Sequence, residues 1–161
     1  MIVIYHDVGG AHSTAVAANI HINRLPADSV PDKNAILSLP TFDKIQKYQY
    51  GRIIFIGEDE FGAKVYTLSR QRAPKIVVPA LADLYNIINN ITDNKGLYLV
   101  DTSSAVNTLM AIGGFLSRRV KVVAIARPIV TYGTMKAYRN IADIVKKVKN
   151  QIKEDSLNLN K

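Results

Sequence analysis

The chain has 161 residues, enough for one domain that buries roughly two-thirds of its unfolded surface, and it has no cysteine, which excludes disulfides, thiolate metal sites and the chemistry of cysteine-based phosphatases. Lys and Arg total 21 against 13 Asp and Glu, and the resulting charge of +8 favours an anionic partner without choosing among nucleotides, nucleic acid and acidic lipid. No apolar run approaches the roughly 20 residues of a membrane span and the N-terminus carries no basic leader, so a cytoplasmic protein with no membrane span is expected.

Taken in chain order, Ile2–Tyr5 reads as a first strand, followed by a helix near 13–22. A long connection over 24–40, punctuated by Pro26, Pro31 and Pro40, leads to a helix near 41–48. Strand Ile53–Ile56, a helix near 62–70, strand Ile76–Val78 and a helix near 80–91 come next. Strand Leu97–Val100, a helix near 104–117, strand Val120–Ile125 and a helix over 134–153 complete the pattern. Strands this continuously apolar are covered on both faces, as in a parallel sheet. The expected fold is therefore α/β, a three-layer sandwich with a mostly parallel sheet of about five strands, P-loop/Rossmann-like. It forms a single domain over 1–153 with a flexible polar tail over 154–161.

Thr134 is the expected cap of the last helix, whose Tyr138, Ile141, Val145, Val148 and Ile152 repeat at spacings of three and four. Lys136, Arg139, Lys146, Lys147, Lys149 and Lys153 crowd the same helix. No aromatic residues interleave with these lysines, so they read as a solvated face and nucleic-acid binding is disfavoured.

The first turn carries the main functional signal. In open α/β sheets, ligands bind where a strand's carboxyl end meets the next helix N-terminus. Here that place reads Gly9-Gly10-Ala11-His12-Ser13-Thr14. The glycines permit close backbone approach, and the helix start offers free N–H groups to phosphate. Ligand contacts are assigned to Gly9, Gly10, Ser13 and Thr14. The turn resembles a nucleotide hydrolase loop, but His12 stands where the pattern needs lysine, and the first glycine of that pattern is missing. The competing reading is a tight turn that packs the helix on the sheet.

If the strands are parallel, Asp59, Asp101 and Arg127 reach the same rim. Asp101 is placed to hold magnesium for phosphoryl transfer, or else to cap the following helix. Arg127 suits a phosphate or carboxylate. Arg118 and Arg119 would add to it, although a helix C-terminus favours cations without any ligand. Gly113 and Gly114 cost about 1 kcal/mol each within a helix and predict a close helix-to-sheet or subunit contact. His6, His12 and His21 lack the spacing of a metal site, and Ser13 is not on a G-x-S-x-G elbow.

Gly9-Gly10-Ala11-His12-Ser13, the run Gly57–Gly62, the run Ile112–Arg119 and Arg127-Pro128-Ile129-Val130 with Gly133-Thr134 together resemble an uncharacterised family of spore-forming Firmicutes known as a domain of unknown function, DUF3189. That family's pattern carries glycine where this chain has Ala126 and arginine where it has Ala111. The resemblance implies a bacterial cytoplasmic protein of a sporulating organism, and it implies no activity. From the residues alone the expected function is binding of a nucleotide or phosphorylated metabolite, with His12 as general acid or phosphoryl acceptor if chemistry follows. The alternative is a non-catalytic interaction or regulatory protein with the basic last helix and the Gly113-Gly114 helix as contact surfaces, a homodimer being one form of it.

Overall fold

The computed structural model describes residues 1–91, 95–116 and 123–159. Four strands form one sheet: β1 Ile2–Asp7, β2 Ile53–Glu58, β3 Lys64–Ser69 and β4 Leu97–Asp101. Among the described residues five helices accompany them: α1 Ser13–His21, α2 Lys33–Ser38, α3 Pro74–Asn89, α4 Thr108–Phe115 and α5 Val123–Leu159. The strand order is β2-β3-β1-β4. β1 runs parallel to β3 and β4, with Ile4 opposite Tyr66 on one side and Leu99 on the other, whereas β2 is an antiparallel edge.

α1 is an Ala-rich helix buried along its whole length, and its Ser13, Asn19 and His21 side chains are hydrogen-bonded within the chain. Ala15, Ala17 and Ala18 let it lie close to β1 and β3, and Ile141, Val145 and Ile152 of α5 cover its outer side. Val3, Tyr5, Val65 and Tyr98 join the same core, while Ile4 and Leu68 are buried outside it, on the other sheet face. The step from β1 to β3 and the step from β3 to β4 move in opposite directions across the sheet. Right-handed crossovers then put α1 and α3 on opposite faces. α3 is the less covered of the two, and Ile76, Leu84, Ile87 and Ile88 remain exposed on it.

Several elements differ from the sequence reading. Residues 64–69 form a strand rather than a helix, because Val65 and Thr67 alternate inward and β3 is an interior strand covered on both sides. Ile76–Val78 belong to α3 rather than to a strand, since Pro74 occupies the first turn and the apolar run continues at helical spacing to Leu81 and Tyr85. Of the strand expected over 120–125, residues 120–122 lie outside the described residues and Val123 begins α5. The expected helix over 41–48 is a set of turns ending in a 3-10 turn at Lys47–Gln49. The long connection contains α2, capped by Asp32, which accepts from Asn34 N at 2.7 Å and Ala35 N at 3.0 Å.

Thr134 lies inside α5 and donates to Val130 O at 2.8 Å, so it caps nothing. The helix continues to Leu159, and Asp155 accepts from Tyr98 Oη at 2.5 Å, which ties the expected loose tail to β4. Of the two glycines of α4, Gly113 serves a helix-to-helix contact, whereas Gly114 faces the His12 ring. A Cβ on Gly113 would sit 2.7 Å from Val130 N and Cβ, so only glycine lets α4 lie on α5 there.

Candidate functional site

The turn after β1 closes on a carboxylate of its own. Asp7 Oδ1 accepts from Gly9 N at 2.8 Å and from Gly10 N, and Ser13 Oγ donates to Asp7 Oδ2 at 2.6 Å. With its one proton spent on Asp7, the Ser13 hydroxyl accepts from Thr102 Oγ1 at 2.8 Å. Gly10 has φ +66° and a Cβ there would lie 2.7 Å from Ser69 N, which accounts for glycine where the turn passes the end of β3. The Gly9 and Gly10 amides and the Ser13 hydroxyl, assigned above to an external anion, thus hold Asp7. The signal was legible, since an aspartate two and three residues before glycine amides is an Asx arrangement.

His12 stands next in the chain and points elsewhere. Its Nε2 lies 3.2 Å from Asp43 Oδ1, and Arg127 Nε donates to Asp43 Oδ2 at 3.2 Å. The Asp43 side chain is 3% exposed and the Arg127 side chain 46%, so an inner carboxylate carries an outer cation on one side and an imidazole on the other. Asp43 N donates to Ala11 O at 3.2 Å, fixing the 41–46 segment to the turn. Phe42 meets the imidazole edge-on with centroids 5.3 Å apart, and a Cβ on Gly114 would come within 3.4 Å of His12 Cε1. With Nε2 at Asp43, Nδ1 is the ring nitrogen left on the Gly114 side, where a doubly protonated imidazole offers its second N–H. Thr14 is buried, and its hydroxyl has no hydrogen-bond partner among the described residues.

A third set lies at the ends of β1, β3 and β4. Arg70, 6% exposed, donates from Nε to His6 Nδ1 at 3.0 Å and from Nη2 to Asp101 Oδ2 at 2.8 Å and Ser103 Oγ at 3.0 Å. Guanidinium can only donate, so His6 Nδ1 accepts and the ring proton sits on Nε2. Burial pushes His6 below its ordinary pKa, and Arg70 adds to that against the carboxylates. Asp101 Oδ1 accepts from Ser103 N at 2.8 Å, which fastens the start of the 3-10 turn Ser103–Ala105 from outside it. Partial burial raises the Asp101 pKa, but the bonds from Ser103 and Arg70 outweigh it and hold the carboxyl below its usual range. Both oxygens of Asp101 are therefore engaged. Among the described residues, no three His, Asp or Glu side chains form a cluster that could hold a metal ion.

Asp59 does not reach this rim. β2 is antiparallel, so its carboxyl end lies beside Lys64 and Ile2, at the opposite edge of the sheet. There Asp59 Oδ2 meets His21 Nε2 at 3.0 Å, and Oδ1 accepts from Phe61 N and Ala63 N. Arg118 and Arg119 lie outside the described residues. Asp7, Asp43, Arg70 and Thr102 were missed, and for Asp43 and Arg70 no local pattern announces the contact, because their partners are 31 and 64 residues away.

Fold and rim together define the class: an α/β protein with a four-stranded, mostly parallel sheet whose β1 carboxyl edge gathers His, Asp and Arg side chains. The family model described as "Protein of unknown function (DUF3189)" matches residues 2–150, and the chain belongs to that family. No curated protein and no solved structure matches it.

Proposed function

We propose that this chain binds a phosphate-bearing ligand, a nucleotide or phosphorylated metabolite, at the P-loop-like rim after β1, with Arg127 and His12 as the side-chain donors. The observation that carries the reading is their convergence on Asp43 beside the N-terminus of α1. A half-exposed guanidinium next to a helix start favours an anion, and it would hand Asp43 to His12 as it turns outward to the ligand. Asp7 already occupies the Gly9 and Gly10 amides, so those groups shape the turn and the ligand meets the cationic side of it. Calorimetric titration with inorganic phosphate and with nucleotides, comparing the chain with Arg127→Ala, tests this. Binding lost in the variant supports the reading; no heat from any phosphate compound, or equal binding by both, rejects it.

A second reading is an interaction protein that pairs with a second copy of itself, favoured by α3. Ile76, Leu84 and Ile88 stand at multiples of four residues and are 72%, 52% and 71% exposed. Ridges at that spacing pack helix against helix, and a helix apolar on both sides is ordinarily covered. Light scattering reads the outcome: a dimer that Leu84→Glu converts to monomer supports it, and a wild-type monomer at high concentration removes it.

A further inference from the structure

A cavity of about 440 Å³ opens between α2 and the N-terminal part of α5, within the range of small-molecule sites. Arg127, the residue that holds Asp43, also lines it. Its walls are Leu37, Pro128, Tyr132 and Met135, with Lys33 and Arg127 as the charged lining residues. Thr131 contributes no free donor, because its hydroxyl is given to Arg127 O at 2.7 Å. Lys136 lies 4.8 Å over the Tyr132 ring and adds a third cation nearby. The carboxylates beside it are engaged: Asp43 with Arg127 and His12, and Asp32 with the first amides of α2.

An apolar hollow with cations in its lining selects a particular ligand shape. The charged end of the ligand belongs at Arg127, and whatever lies in the hollow must need no hydrogen bonds of its own. A sugar body would leave its hydroxyls unpaired there, whereas a flat aromatic ring or short acyl chain would displace water from Tyr132 and Met135. We infer that this cavity receives the apolar body of an amphipathic anion, an aryl or acyl phosphate, whose phosphate sits at the Arg127 rim. The inference rests on the proposed phosphate site and narrows its ligand class from phosphorylated metabolites in general to those with an apolar body.

The chain has no tryptophan, so naphthyl fluorescence can be read without indole background. Four probes are titrated: inorganic phosphate, glucose 6-phosphate, 1-naphthyl phosphate and 1-naphthol. The expected order is 1-naphthyl phosphate about tenfold or more tighter than inorganic phosphate, with glucose 6-phosphate no better than phosphate, since burying even part of the ring exceeds that factor. Tyr132→Ala, a change at an exposed position, should remove most of the naphthyl advantage and leave inorganic phosphate unaffected. Met135→Phe, which fills the hollow, should do the same. Phosphate binding with no naphthyl preference would overturn the cavity assignment and leave the phosphate site standing. Naphthol binding as tightly as naphthyl phosphate, with Arg127→Ala harmless, would overturn both. A naphthyl preference untouched by either cavity variant would place the ring elsewhere and refute the inference.

Discussion

Helix α1 carries a histidine at each end, and each meets an aspartate, yet the two pairs are built for different ends. At the C-terminal end, His21 Nε2 donates to Asp59, and Tyr5 Oη, 2.7 Å from Nδ1, donates to the ring. Both side chains of the His21–Asp59 pair are fully buried. Burial holds the ring neutral against the pull of Asp59, and burial also keeps the Tyr5 hydroxyl protonated far above its usual range. Every polar atom of that imidazole is satisfied from within the chain, so nothing is left for a ligand. At the N-terminal end, His12 likewise has an aspartate, Asp43, on Nε2, but no hydrogen bond reaches Nδ1 among the described residues, and Asp43 is shared with a half-exposed arginine. What separates a structural pair from a candidate site is the other nitrogen and the partner of the carboxylate, not the His–Asp contact itself.

The contrast breaks most visibly at His21. His21→Ala should destabilise the chain by roughly 3–4 kcal/mol, because it strands a buried hydroxyl and a buried carboxylate oxygen and leaves a cavity. Urea denaturation measures it, and a loss below about 1 kcal/mol would mean that the network is not what holds α1 to the β2–β3 turn. Phosphate binding in whatever folds should be intact. Next in size is His12→Ala, for which phosphate affinity should weaken by about 1.5–3 kcal/mol, the range for hydrogen bonds to charged groups, with stability changed far less than by His21→Ala. Equal binding with a large drop in melting temperature would make His12 a second structural histidine and erase the distinction.

A smaller effect is the pH dependence. His21 and His6 both have folded-state pKa values below the ordinary 6.5, so the folded chain binds fewer protons than the unfolded one. Stability is then complete above that value and falls as the pH drops below it. Replacing His21 by Gln should flatten this slope, measured as denaturation midpoints across the acid range; an unchanged slope would assign it to His6 or to other groups. The smallest expected change is Gly114→Ala. Its new methyl would touch His12 at 3.4 Å while gaining up to about 1 kcal/mol of helix propensity, so stability should stay level or rise. A fall in phosphate affinity in that variant would show that the Nδ1 side of His12 is the side the ligand uses.

Strand β1, helix α1 and strand β4 were legible because their apolar runs are long and bounded by turn residues. Lys64–Ser69 and Ile76–Val78 exchanged roles in the reading, since six and three residues are too few for periodicity to separate strand from helix, and only the burial of both faces of β3 decides it. Strand direction was invisible: nothing in Ile53–Glu58 says antiparallel, and that one sign moved Asp59 to the far edge of the sheet. At the rim, His12 and Arg127 were recognisable as residue types in favourable places. Asp43, which joins them, was not, because it lies in a connection with no periodicity and adopts a left-handed φ of +54° that fixes its position only in the folded chain.

The long last helix has a consequence for how this chain comes into being. α1 is made well before Ile141, Val145 and Ile152, which cover it, because those residues lie in α5. Tyr98 of β4 likewise waits for Asp155. Until α5 has been made, the nascent chain therefore carries the outer side of this Ala-rich helix uncovered, an interval in which exposed apolar surface is open to aggregation.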